Sequence, residues 1–171
     1  MDDPRSTRRL GRGMLLLASL ALLGVLWMAF DGYLQRSWNP NRNLSVQSGQ
    51  SEWVLQRNRA GHYVAPGTIN GQRVTFLLDT GATQVSVPAH LADALGLAPG
   101  GSARVMTANG SVTVRTTVID ELGLGPFRIR NVAGHLNPGF RSDEILLGMS
   151  ALKHLEFTQR GDTLILRPHG G

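Results

Sequence analysis

Phe76-Leu77-Leu78-Asp79-Thr80-Gly81-Ala82 sets a carboxylate directly after an apolar run and directly before a small, glycine-containing turn. Residues 74–78 are rich in β-branched and large apolar side chains, which predicts a buried strand that delivers Asp79 to the edge of a core. A carboxylate held there loses hydration, Thr80 offers a hydroxyl for hydrogen bonding, and Gly81 lets the backbone bend tightly and pass close to another chain. An ordinary Asp turn after a strand has the same three residues, so the motif alone does not decide. The surrounding sequence does.

A second apolar run, Glu144-Ile145-Leu146-Leu147-Gly148-Met149, also ends in glycine and leads into the helix-like Ser150-Ala151-Leu152-Lys153-His154-Leu155. Between the two runs, residues 103–107 and 111–118 flank the tip Ala108-Asn109-Gly110, and Ser111-Val112-Thr113-Val114-Arg115-Thr116 alternates as a strand does. An Asp-Thr-Gly-Ala loop, a glycine-tipped hairpin, Ile-Leu-Leu-Gly and one helix together resemble the retropepsin-like aspartic proteases, above all their bacterial, single-pass membrane-anchored branch. The resemblance covers residues 53–167.

What it implies is an all-β, retropepsin-like half-barrel with short helices, preceded by one N-terminal transmembrane helix. Asp79 would be the catalytic residue, Thr80, Gly81 and Ala82 would support its loop, and Ile145, Leu146, Leu147 and Gly148 would form a second structural anchor. The hairpin tipped by Ala108, Asn109 and Gly110 would be a flap that closes over an extended peptide and excludes water. Residues 156–159 and 163–166 would make a terminal hairpin of the kind by which retropepsin subunits join sheets.

Peptide hydrolysis by this chemistry needs two carboxyl groups across one water, one accepting its proton and the other, protonated, polarising the scissile carbonyl. The chain has a single Asp-Thr-Gly, and neither Asp31-Gly32 nor Asp162-Thr163-Leu164 repeats it. The second carboxyl must then come from another copy, so the expected active form is a homodimer acting on a protein or peptide substrate without a cofactor. Thr83 and Gln84 stand where retroviral members carry acidic, substrate-contacting residues, and those subsite roles do not transfer. The rival reading is a catalytically silent peptide-binding or dimerisation module, since fold does not establish activity.

Residues 14–30 carry no charge and as a helix would span about 26 Å, enough for a short membrane crossing. Ser19 is the one polar side chain in that run, so no polar face suits it to a soluble core. A cleaved signal peptide begins in the same way, but Met28-Ala29-Phe30-Asp31 offers no small-x-small cleavage site, which favours a retained anchor. Arg5, Arg8, Arg9 and Arg12 precede the span while Asp31 and Arg36 follow it, placing the N-terminus in the cytoplasm. For a bacterial inner-membrane protein the remainder is then periplasmic.

The 171 residues therefore divide into a basic N-terminus (1–13), a span (14–30), a polar tether (31–52) and a domain (53–171). The net charge of +5 is no nucleic-acid signature, because four arginines belong to the topology signal and the rest are scattered singly. With no cysteine, disulfides and zinc thiolates are excluded, and the five dispersed histidines have no ligand spacing, so no metal is expected. Asn70-Gly71 suits a tight hairpin, and residues 89–95 read as a helix begun by Pro88 and ended by Gly96.

Overall fold

A computed structural model describes residues 4–45, 50–107 and 110–169, with side chains from residue 13 onward. Residues 1–37 and 38–171 are two compact units. The first consists of the helix α1 (Pro4–Trp38), whose segment Gly13–Trp38 is long and apolar enough to cross a membrane. The side chains of residues 13–31 are exposed, and the Ser19 hydroxyl donates to Leu15 O at 2.9 Å, so the one polar group of the apolar run is satisfied within the helix.

The helix does not stop at Phe30, which corrects the expected start of the tether. Nothing in residues 31–38 breaks a helix: Gln35 Nε2 donates to Asp31 Oδ2 one turn away, and Arg36 sits favourably in the last turn. Pro40 is the barrier, because it biases Asn39 away from helical geometry. Residues 39–41, which follow, are tied down rather than loose. Asn41 is 1 % exposed and works as a staple: Nδ2 donates to Gln56 O and Val64 O at 2.9 and 2.8 Å, while Oδ1 accepts from Gln56 N at 2.8 Å. Asn41→Ala leaves those backbone groups unpaired and is expected to cost about 2 kcal/mol, read as a lower urea midpoint for the full chain in detergent.

The domain contains β1 (Trp53–Gln56), β2 (Tyr63–Ile69), β3 (Gln72–Leu78), β4 (Val85–Pro88), β5 (Ser102–Thr107), β6 (Gly110–Leu124), β7 (Phe127–Asn137), β8 (Glu144–Leu147), the short helix α2 (Met149–Leu152), β9 (Leu155–Arg160) and β10 (Thr163–Pro168). Asn70 and Gly71 have φ of 50° and 82°, the pair of positive values that a two-residue hairpin between β2 and β3 requires. Seven strands form one sheet in the order β2-β3-β8-β4-β7-β6-β5, and Gly67–Ile69 of β2 also pairs with Leu122–Leu124 of β6. That pairing closes the sheet into a barrel. A second sheet, β1-β10-β9, carries Leu55, Leu164 and Leu166 into the same core.

The run 74–78 is less buried than expected. Phe76 is fully buried between Ala65 of β2 and Ile145 of β8, whereas Val74, Leu77 and Leu78 are half-buried. Strand geometry turns Leu77 to the other face, while Val74 and Leu78 share the face of Phe76 and pack at the margin of the core. The expected helix over 89–95 is also smaller, a single 3-10 turn at Ala89–Leu91 followed by further turns. Seven residues are too few to propagate a helix without packing support, and here Ala92, Leu95 and Leu97 gain more by turning into the core.

Candidate active site

β8 lies parallel to β3, with Leu147 opposite Leu78, and this parallel pair carries the Asp79 loop. Asp79 N donates to Leu147 O at 3.1 Å, and Ala82 N donates back to Asp79 O at 3.2 Å, which closes the turn. The Asp79 carboxylate is half-exposed, and its Oδ1 accepts from Gly81 N at 2.8 Å. A side chain at residue 81 would place Cβ 3.1 Å from that oxygen, so glycine keeps the carboxylate uncrowded. Thr80 and Gly81 are exposed.

The second anchor supports the loop from beneath. Ile145 and Leu147 are buried in the core, and Leu146 points the other way. Gly148 lies against the loop itself: a Cβ there would sit 2.4 Å from Gln84 O and 2.6 Å from Ala82 O. Just beyond it, Met149 N and Ser150 N donate to Ala82 O and Thr83 O at 2.8 and 2.9 Å. The first turn of α2 thus uses its free N–H groups to hold the Asp-Thr-Gly loop in place.

Ser150 adds a tie that its place in the sequence does not announce. Its hydroxyl donates to Ala133 O at 2.7 Å and accepts from Val85 N at 3.0 Å, joining α2, β7 and the end of the loop. A hydroxyl residue in a first helical turn was the available signal, but its partners lie 17 and 65 residues away.

Asp79 opens into a cleft of about 970 Å³, roofed by the β5–β6 hairpin through Arg104, Val105 and Met106 and bounded by Phe140 and Leu146. Gly81, Ala82, Thr83 and Gln84 line it, whereas Thr80 does not. Gly110 has φ of 105° and begins β6; Ala108 and Asn109, the rest of the expected flap tip, lie outside the described residues. A second groove of about 860 Å³, beside Trp53, Gln72 and Arg128, does not include Asp79. Among the described residues, Asp79 is the one carboxylate lining its cleft. His135 also lines it, and burial holds the imidazole pKa below the usual 6.5.

Residues 65–154 match the family model described as "gag-polyprotein putative aspartyl protease". A crystal structure of a retropepsin-like aspartic protease from Rickettsia conorii superposes with a TM-score of 0.58 at 30 % identity, covering 68 % of this chain and 90 % of that one. An uncharacterized protein from the cobV 5′ region of a Sinorhizobium species is 37 % identical over 128 residues, 72 % of this chain and 55 % of its own length. An uncharacterized protein of Rickettsia prowazekii (strain Madrid E) is 28 % identical over 131 residues, 74 % and 55 % of the two lengths. The chain thus spans about half the length of these two relatives. With the Asp-Thr-Gly loop, the glycine anchor beneath it and the hairpin over the cleft, these matches establish that the chain belongs to the retropepsin-like aspartic proteases.

Proposed function

We propose that the protein is a membrane-anchored aspartic endopeptidase whose active site is completed by a second copy of the chain. The observation that carries this reading is a lone Asp79 carboxylate, fixed by Gly81 at a hairpin-covered cleft that has no second acid among its described lining. In the dimer the two Asp79 side chains share one proton. The ionised one takes a proton from water as its oxygen attacks the scissile carbonyl, and the protonated one donates to the carbonyl oxygen. The tetrahedral intermediate then breaks its C–N bond as a proton reaches the leaving nitrogen, releasing a carboxylic acid and an amine.

The exposure of Thr80 and Gly81 in one chain supports this reading, in which they would meet their counterparts across the two-fold axis. β9 supports the same assembly, because it is an edge of its sheet, with one side open to a further strand and Phe157 exposed on it. The helix α1 supplies the anchor in this reading, and the arginines before it favour a cytoplasmic N-terminus with the domain in the bacterial periplasm. Shared anchoring raises the local concentration of domains and aids a weak dimer.

The test is cleavage of an unfolded protein by the full chain in lipid nanodiscs or detergent, from acidic to neutral pH. Activity per molecule is expected to rise with protein concentration and then level off as dimers fill. A folded, dimeric protein that cuts nothing across that range refutes the peptidase and favours a silent peptide-binding module on the same fold.

A further inference from the structure

One row of side chains crosses the floor of the Asp79 cleft. Ser86 of β4 stands opposite Leu146 of β8 on one side and His135 of β7 on the other, and His135 stands opposite Thr116 of β6. Residues in register share a face of the sheet, and all four line the cleft. Their neighbours Val85, Val87 and Leu136 point into the core instead. The row therefore begins apolar at Leu146 and turns polar over its next three members.

Ser86 is 3 % exposed, and its Oγ has no hydrogen-bond partner among the described residues. Such a hydroxyl is costly to leave unpaired, and it is what a ligand group would satisfy. His135 is half-buried beside it, and burial disfavours its charged form. The Thr116 hydroxyl is already donated to Gly101 O at 3.2 Å, which leaves it able to accept. Asn137, the other buried polar residue of the cleft, is committed through Oδ1 to Gly139 N at 2.8 Å.

We infer that Ser86, His135 and Thr116 form a polar subsite that selects a substrate residue with an uncharged carboxamide side chain, Asn or Gln. A hydroxyl and a neutral imidazole each offer one donor and one acceptor, and Thr116 adds an acceptor. A carboxamide matches this set because it donates and accepts at once. A carboxylate only accepts, so it leaves the donors' counterpart acceptors unmatched and brings a charge against the buried Ser86, while an aliphatic side chain leaves Ser86 unpaired. Ser86 and His135 are then specificity-determining residues, and their assignment rests on the peptidase reading above.

The experiment takes a peptide that the full-length protein cuts from an unfolded test protein and replaces each residue near the cleaved bond by Asn and by Leu. At one position kcat/KM for Asn is expected to exceed that for Leu by about tenfold. Ser86→Ala and His135→Leu should each bring that ratio close to one, whereas Ser86→Thr, which keeps the hydroxyl, should preserve it. No position with an Asn preference, or a preference that survives both Ser86→Ala and His135→Leu, overturns the subsite. If the protein cuts nothing, peptides of the unfolded test protein, each made with Asn or Leu at its centre, are compared by fluorescence anisotropy. Tighter binding of the Asn peptide, lost in Ser86→Ala, supports the subsite and sinks only the peptidase; equal binding, or none, overturns the subsite as well.

Discussion

Asp79→Asn is expected to lower peptide cleavage by about a thousandfold, or about 4 kcal/mol of transition-state stabilisation, with the thermal unfolding temperature nearly unchanged. Asparagine keeps the shape of the side chain and an oxygen that accepts from Gly81 N, the bond that orients the loop at 2.8 Å. What it removes is the proton that two carboxyl groups share. The composite site adds a second signature when variant and parent chains are mixed in equal amounts. Random pairing leaves about a quarter of the dimers with two Asp79 side chains, so activity should fall toward a quarter. A fall to one half would mean that each chain works alone, and full activity of the pure variant would remove Asp79 from the chemistry.

Gly148→Ala is expected to destabilise the domain by about 3 kcal/mol and to lower activity further than the loss of folded protein explains. The added Cβ would lie 2.4 Å from Gln84 O and 2.6 Å from Ala82 O, both backbone atoms of the loop that follows Asp79. Flexible side chains could move aside, but Ala82 O cannot without breaking its bond from Met149 N, and the intervening Thr83 O is held in turn by Ser150 N. Relief therefore displaces the Asp79 loop itself. Gly101→Ala is the control, because a Cβ added there would meet nothing within 4 Å, and its effect should stay within about 0.5 kcal/mol. Equal denaturation midpoints for the two variants would show that the loop does not rest on Gly148.

Much of this protein is legible without coordinates, because its signals are local. The charge-free run of residues 14–30 reads as a helix long and apolar enough to cross a membrane, and the Asn70-Gly71 hairpin follows from the φ values those two residues tolerate. The Asp-Thr-Gly loop after an apolar run, and the Ile-Leu-Leu-Gly that follows 66 residues later, point to one another through family resemblance. Local signals failed where packing outweighed them. The helix expected at 89–95 gave way to turns that bury Ala92 and Leu95, and the start of the expected tether became a helix followed by the Asn41 staple.

The sequence by itself determined the family and most of the element types, since a carboxylate before a glycine turn and the periods of apolar residues are properties of neighbours in the chain. Only the tertiary structure decided why Gly148 must be glycine, what Ser150 ties together, and that Leu146, Ser86, His135 and Thr116 form one row. The reason is physical: those relations arise from strand register and close approach between segments far apart in sequence, and neither leaves a trace in the order of the residues that take part.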